Sequence, residues 1–218
     1  MKNNKTLYIV SFIGLLIGFA IAMVVYQNYE KDKLSFLAQE NAELFVRDYS
    51  PVYGDKNAKI YLVEFLDPEC ESCRAFYPQV KALLKEYPGK VQLVVRYAPF
   101  HKNSKIAIKA LEAARMQGKY WEALELLFQF QPQWGDHHHP NPGLIFEYLP
   151  TLGLEMNKLK NDMLNPIIEK NLAQDISDLR ALNVRGTPTF FVNGKPLKQF
   201  GVFGIKQLIE EELKLLKD

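Results

Sequence analysis

The only two cysteines of the chain, Cys70 and Cys73, form a Cys-x-x-Cys motif. The residues before it, 60–66, are mostly β-branched or aromatic and predict a buried strand, whereas residues 74–84 have the pattern of a helix. A motif at this junction places Cys70 at the amino end of the helix, where unpaired N–H groups and the helix dipole favour a thiolate. We therefore predict that Cys70 is the nucleophile of a thiol–disulfide exchange site and that Cys73 is the resolving thiol.

Two other interpretations of the motif are a structural disulfide and half of a zinc site. A zinc site usually needs a second Cys/His pair, and the chain has no further cysteine. The run His137-His138-His139 lies in a Pro- and Trp-bearing segment that we interpret as an exposed loop. A loop could present two histidines to one metal, so a metal-binding or metal-delivery module that uses Cys70, Cys73 and these histidines remains the alternative function.

The length and charge of the chain set limits on its class. With 218 residues it has room for one good-sized domain and an appendage. The formal net charge of +2 is close to balanced, so no nucleic-acid partner is implied.

The amino-terminal segment predicts a single membrane-spanning helix. Lys2 and Lys5 precede an uncharged apolar run over residues 7–26, which is long enough to cross a bilayer. Lysines on this side favour a cytoplasmic amino terminus, with the rest of the chain on the periplasmic side of a bacterial inner membrane. The alternative is a signal peptide cleaved after Ala20-Ile21-Ala22. Because the apolar run continues past Ala22 to Tyr26, an uncleaved anchor is favoured.

Export changes the interpretation of the two cysteines. Disulfides persist outside the cytoplasm, where a lone Cys-x-x-Cys motif is suited to disulfide exchange. We predict three regions: a cytoplasmic tip and anchor at 1–33, a helical stalk at 34–49, and a folded domain at 50–218.

Strands and helices alternate in the predicted domain. The order strand 60–66, helix 70–87 and strand 91–97 predicts a right-handed parallel crossover. A helical insertion over about 104–182 follows. Strands return at 189–192 and 197–202 around an Asn193-Gly194 turn, and a helix at 205–216 ends the chain.

This arrangement resembles the thioredoxin fold, and the helical insertion resembles its DsbA-like branch. The resemblance covers about residues 50–217. Glu64 stands six residues before Cys70, where the family has a buried acid, and Pro78 matches the kink in its active-site helix. Thr187-Pro188 matches its cis-proline loop, and Pro99-Phe100-His101 resembles exported members. The expected fold class is therefore α/β: a thioredoxin fold with a helical insertion, preceded by one transmembrane helix.

The resemblance implies a protein thiol–disulfide oxidoreductase with no cofactor beyond a Cys70–Cys73 disulfide. Its expected partners are exported polypeptides with cysteines and a membrane protein that resets the disulfide. An isolated carboxyl on a buried strand has a raised pKa, so Glu64 is the expected proton acceptor for Cys73. The alternative is a buried ion pair of Glu64 with Lys59 or Lys90. The Thr187-Pro188 loop is expected to pair with an extended substrate chain.

The dipeptide Glu71-Ser72 departs from the Pro-His pair of strongly oxidising family members. Glu71, with Glu69, places negative charge near Cys70, and like charge disfavours ionisation of the thiol. We therefore expect the pKa of Cys70 to lie above that of the strong oxidants and the disulfide to be less oxidising. The segment 67–70 also resembles periplasmic disulfide isomerases, so the direction of electron flow stays open.

Overall fold

The computed structural model of the protein describes residues 4–40, 42–136 and 138–216. The described strands form one five-stranded sheet in the order β1-β3-β2-β4-β5. Strands β2 and β3 run parallel, and the other three pairings are antiparallel. The predicted crossover is confirmed, whereas the short edge strand β1 was not predicted. The strands are β1 (Val52–Tyr53), β2 (Ile60–Leu66), β3 (Val91–Tyr97), β4 (Thr189–Val192) and β5 (Lys195–Pro196).

Nine α-helices lie in the described residues, six of them in the insertion between β3 and β4. The helices are α1 (Asn4–Glu40), α2 (Glu71–Lys85), α3 (Ser104–Arg115), α4 (Tyr120–Gln129), α5 (Gln131–Trp134), α6 (Ile145–Tyr148), α7 (Met156–Asp162), α8 (Pro166–Ala181) and α9 (Val202–Leu215). Single 3-10 turns occur at Ala42–Leu44, Pro142–Leu144 and Leu149–Leu152. The predicted helical insertion is confirmed, and the thioredoxin fold with it.

The short helix α5 corrects the sequence-based assignment of this part of the insertion to a loop. Its first turn contains Pro132, whose fixed φ suits a helix start. Gln131 and Trp134 are buried, and the Trp134 indole N–H donates to the Leu127 carbonyl over 2.8 Å. This turn therefore belongs to the core and lies against the cysteine segment.

The hairpin at the end of the sheet agrees only partly with expectation. Asn193 and Gly194 both have positive φ, 47° and 78°, which suits the tight turn joining β4 to β5. The predicted strand 197–202 is wrong, because β5 ends at Pro196 and α9 begins at Val202. Pro196 has no N–H to continue a ladder, and Gly201, at φ 118°, turns the chain into the helix.

Helix α1 runs without interruption through the predicted boundary between anchor and stalk. Its segment Tyr8–Tyr26 has a mean hydropathy of 2.6 and is long and apolar enough, by length and composition, to cross a membrane. The predicted stalk is helical only to Glu40, followed by the 3-10 turn Ala42–Leu44. Lys2 lies outside the described residues, and the division into three regions stays a prediction.

A buried ionic cluster ties the insertion to the sheet. Arg96 on β3 is fully buried and binds Asp175 and Asp178 of α8, with 2.9 Å between Arg96 Nε and Asp175 Oδ1. Its third contact is the Leu44 carbonyl at 2.7 Å, and Arg47 reaches Asp178 from the same amino-terminal segment. The segment before β1, the central sheet and the last insertion helix are thus joined at one point.

Alternation along β2 decides which side chains face the cysteines. Ile60, Leu62 and Leu66 pack in one core with Cys70 and Cys73. Val63 and Phe65 point to the opposite core, against Phe45. Because successive side chains of a strand alternate, Glu64 shares the face of Leu62 and Leu66. Strand β2 therefore carries a carboxyl group to the cysteine side of the sheet.

Candidate active site

Cys70 is the amino-terminal capping residue of α2, with extended backbone torsions of φ −76° and ψ 121°. The Cys70 residue is 7% exposed and Cys73 is fully buried, and both are free thiols. The Cys70 sulfur lies 3.3 Å from the Thr187 carbonyl oxygen. Pro78 lies inside α2, as predicted. Of the two sulfurs, therefore, only Cys70 is accessible to a partner.

The two thiols have opposite acidities. The pKa of Cys70 is lowered to about 5, first by a hydrogen bond from the Cys73 thiol. The Thr187 side chain and the backbone N–H groups of Cys73 and Ser72 lower it further, against the opposing effect of burial. Burial raises the pKa of Cys73 well above its usual range. Cys70 is thus the stable thiolate, and Cys73 keeps its proton.

Glu64 lies fully buried beneath the cysteines. Neither carboxyl oxygen hydrogen-bonds to a described residue. The predicted alternative of an ion pair with Lys59 or Lys90 is therefore wrong for this structure, in which both lysines are exposed. Burial, and then the nearby Cys70 charge, raise the pKa of Glu64 to about 8. A group that titrates near neutrality can give and take a proton under ordinary conditions.

The loop before β4 closes the site on the other side. The Thr187–Pro188 peptide bond is cis, in agreement with the family pattern. Pro188 is buried, whereas Thr187 is partly exposed beside the Cys70 sulfur. The loop therefore presents polar backbone next to the reactive atom.

The sequence did not reveal a polar network that holds the cysteine segment against the insertion. The Asp67 carboxylate accepts hydrogen bonds from the Phe100 N–H and the Ser104 hydroxyl, both at 2.8 Å, and contacts His101 Nδ1 at the same distance. Glu69 is buried, and Asn103 donates to it from its backbone N–H at 2.6 Å and its side-chain amide at 2.8 Å. Both acids therefore bind the residues at and just before the start of α3.

Gln131 of α5 completes this network from a second side. Its amide nitrogen donates to the carbonyl oxygens of Pro68 and Cys70, at 2.8 Å and 3.0 Å. These bonds fix the backbone on both sides of Glu69, so the insertion shapes the approach to α2.

The two predicted tuning acids occupy different positions. Glu69 is bound by Asn103, whereas Glu71 is exposed in the first turn of α2. Ser72 is also exposed and acts on Cys70 through its backbone N–H. The principal influences on the Cys70 pKa are therefore Cys73, Thr187 and the helix end. The effect of the Glu71-Ser72 pair stays a prediction.

The histidine run is an exposed loop where the structure describes it. His138 and His139 are exposed, and their backbone N–H groups each donate to Asp136 Oδ1 at 2.7 Å. His137 lies outside the described residues. Across the described part of the chain, no group of three or more His, Cys, Asp or Glu side chains is arranged to hold a metal ion.

The acidity of Glu64 leads to a testable pH dependence. Glu64→Gln should slow the attack of Cys73 on a mixed disulfide by about 10²-fold at pH 8, the scale of a positioned base. The fraction of Glu64 that is ionised grows as the pH rises through about 8. The rate of Cys73 attack should therefore rise in this pH range in the wild-type protein, whereas the rate in Glu64→Gln should not. Rapid mixing of the reduced protein with oxidised glutathione, followed by acid quench, measures this step. The exposed Glu147→Gln is the control, and identical pH profiles for Glu64→Gln and wild type would refute the role.

Comparison with known proteins agrees with this geometry. A family model described as Thioredoxin matches residues 47–211. The chain belongs to the thioredoxin superfamily. Within this superfamily, the insertion of α3–α8 between β3 and β4 identifies it as a DsbA-like member, as the sequence predicted.

Individual proteins that are similar to this chain differ in length. Disulfide bond formation protein D of Bacillus subtilis is 31% identical over 175 residues, covering 75% of this chain and 77% of that protein. The crystal structure of oxidised BdbD from Bacillus subtilis has a TM-score of 0.65 and 29% identity, covering 76% of this chain and 93% of that one. A Na+/H+ antiporter, NhaA 3 of Salinispora tropica, is 32% identical over 164 residues, covering 74% of this chain. The chain spans only about a quarter (24%) of that antiporter's length.

Proposed function

We propose that this protein is a membrane-tethered thiol–disulfide oxidoreductase that exchanges disulfides with exported polypeptides through Cys70 and Cys73. The observation that carries the proposal is the pairing of a partly accessible, acidic Cys70 thiol with a buried Cys73 thiol above an unpaired Glu64 carboxyl. The similarity to disulfide bond formation protein D supports it. A metal-delivery module would have no use for Glu64 or for the Thr187-Pro188 loop.

The proposed reaction in the oxidising direction begins with attack of a substrate thiolate on Cys70 of the Cys70–Cys73 disulfide. A bond forms between the substrate sulfur and Cys70, and Cys73 leaves as a thiolate. Because burial raises the pKa of Cys73, this thiolate takes up a proton, which Glu64 supplies. A second substrate thiolate then attacks the substrate sulfur, and Cys70 leaves as a thiolate. The substrate loses two electrons, and the cysteine pair gains them.

The acidity of Cys70 favours the oxidising direction. A stabilised thiolate stabilises the reduced protein and makes its disulfide a stronger oxidant. The Cys70 pKa of about 5 lies between about 7 for thioredoxin and about 3.5 for DsbA. We therefore propose an oxidant of intermediate strength, with a membrane redox partner that reoxidises the pair.

The equilibrium of the full-length protein with glutathione tests this direction. We expect a reduction potential between about −270 mV, as in thioredoxin, and about −120 mV, as in DsbA. The fraction of reduced protein is read by thiol alkylation and mass spectrometry across a series of glutathione ratios. A potential at or below the thioredoxin value would contradict the oxidising role and favour a reductase.

The proposed location of the protein rests on helix α1. We propose that Tyr8–Tyr26 remains as an uncleaved anchor, with the catalytic domain on the extracytoplasmic side. The full chain should then stay with membranes after a high-salt wash and be released by detergent. Release of a soluble species beginning at Met23 would show that Ala20-Ile21-Ala22 is a cleavage site.

The substrate surface is assigned to the loop before β4. We propose that the Thr187 backbone, beside the Cys70 sulfur, pairs with an extended substrate segment as an added strand. Backbone pairing of this kind places few demands on side chains, so it suits an enzyme that accepts many unfolded chains.

A further inference from the structure

His101 is positioned by Asp67, the residue that also shapes the turn into Cys70. The Asp67 Oδ2 atom lies 2.8 Å from His101 Nδ1 and accepts the His101 backbone N–H at 3.2 Å. The Asp67 carbonyl accepts the Cys70 N–H at 3.0 Å, and its backbone N–H contributes a hydrogen bond to the Cys73 sulfur. One residue therefore contacts the imidazole and both cysteines.

We propose that His101, oriented by Asp67, is a cation that adds to the stabilisation of the Cys70 thiolate by Cys73, Thr187 and the helix end, and thereby makes the Cys70–Cys73 disulfide more oxidising. The Cys-x-x-Cys motif of this chain contains Glu71 and Ser72 and no histidine, so His101 would supply the positive charge from outside the motif. This inference rests on the proposed function, because it assigns what sets the redox potential of the same site. The Asp67 carboxylate is a positioning group, which acts on the redox potential through His101.

The surroundings of His101 favour its charged form. Its side chain is 27% exposed, so it is partly shielded from solvent while Asp67 is fully buried beside it. Burial alone would lower the pKa of His101, but the hydrogen bond and charge of Asp67 raise it above the ordinary value. The negative charges of Cys70 and Glu69 act in the same direction. The imidazolium is thus stabilised by the negative charges of Asp67, Glu69 and the Cys70 thiolate.

Other ionisable groups also lie on the segments that pack around Cys70, and they define the controls. Strand β2 and the loop after it carry acids, α2 carries charges of both signs, and the loops before α3 and β4 carry cations. They are Glu64, Asp67, Glu69, Glu71, Cys73, Arg74, Lys102 and Arg185. Lys102 is exposed and adjacent to His101, so Lys102→Gln removes one positive charge from the same loop without touching Asp67.

Thermodynamic linkage between the protonation of His101 and the ionisation of Cys70 supplies a test. A His101 that served only to hold the structure together would not show this linkage. If the imidazolium stabilises the thiolate, the thiolate must stabilise the imidazolium by the same free energy. The pKa of His101 should therefore be higher in the reduced protein than in the protein with a Cys70–Cys73 disulfide. In His101→Gln, the pKa of Cys70 should rise by a similar amount, and His101→Lys, which keeps the charge, should restore most of the loss.

The experiment is an NMR titration of the histidine ring signals of the full-length protein in detergent, in both redox forms. His101→Gln assigns the signal, and His138 and His139 supply internal controls. Thiolate absorbance gives the Cys70 pKa, and the glutathione equilibrium gives the potential. A tenfold change in the ionisation constant of Cys70 corresponds to about 1.4 kcal/mol and to about 30 mV in the reduction potential. We expect the potential of His101→Gln to be more negative than that of the wild type, and the potential of Lys102→Gln to be nearly unchanged.

The outcomes separate this inference from the proposed function. A redox-dependent His101 titration with a matching rise of the Cys70 pKa in His101→Gln supports the inference. Equal His101 titrations in both forms, with an unchanged Cys70 pKa, overturn it even if exchange activity is normal. Absence of exchange activity in the wild-type protein would overturn the proposed function, whatever the titrations show.

Discussion

Cys70→Ser should abolish disulfide exchange, whereas Cys73→Ser should still form a mixed disulfide when its Cys70 thiolate attacks an oxidised substrate, but should not resolve it. The reason is the difference in exposure and acidity between the two sulfurs. Cys70 is partly accessible and its pKa is lowered to about 5, whereas Cys73 is fully buried and keeps its proton. An alcohol in place of Cys70 cannot form a mixed disulfide, so no later step can occur.

The measurement uses a reduced, unfolded substrate with two cysteines. Alkylation of the thiols that remain at each time point reports how much of the substrate disulfide has formed. Ala75→Ser is the matched control, because it introduces the same side chain at an exposed position one turn further along α2. Exchange at a normal rate in Cys70→Ser would show that the nucleophile has been assigned to the wrong residue.

Arg96→Met should produce the largest loss of stability among the single substitutions considered. The guanidinium is fully buried and neutralises Asp175 and Asp178, which are also buried. Removing one partner of a buried ion pair leaves an uncompensated charge, and typically lowers the free energy of unfolding by about 3–5 kcal/mol. Asp178 keeps its contact with Arg47, so most of the loss should come from Asp175.

Urea unfolding followed by tryptophan fluorescence tests this prediction. The control is Arg180→Met, an exposed arginine of α8, which should change the free energy of unfolding by less than about 0.5 kcal/mol. Asp175→Asn added to Arg96→Met should recover part of the loss, because it removes the unpaired charge. A loss below about 1 kcal/mol in Arg96→Met would contradict the structural role of the cluster.

Local sequence patterns were sufficient to predict the elements that carry the cysteines. Strand β2 has the predicted bounds, and α2 begins within one residue of the expected start. Glu64 was predicted from the resemblance to the thioredoxin family, and the Asn193-Gly194 turn could be predicted because both residues accept positive φ. These features depend on residues that are close together in the chain.

The remaining features of the site depend on contacts between distant segments. Asp67 and Glu69 bind residues more than thirty positions later, and Gln131 reaches back to Pro68 over a separation of 63. No local period or motif encodes such partners. The strand predicted at 197–202 failed for a different reason, since the ladder ends at Pro196 and only Val202 of this stretch belongs to the helix that follows.

The most direct test of the account is the identity of the cysteine that holds substrate. Full-length Cys73→Ser and Cys70→Ser proteins would be incubated with a reactive mixed-disulfide peptide, and the adducts mapped by mass spectrometry without reduction. We predict a stable peptide adduct on Cys70 in Cys73→Ser and none on Cys73 in Cys70→Ser. An adduct of equal yield on Cys73 would contradict the assignment of Cys70 as the nucleophile, and with it the proposed reaction.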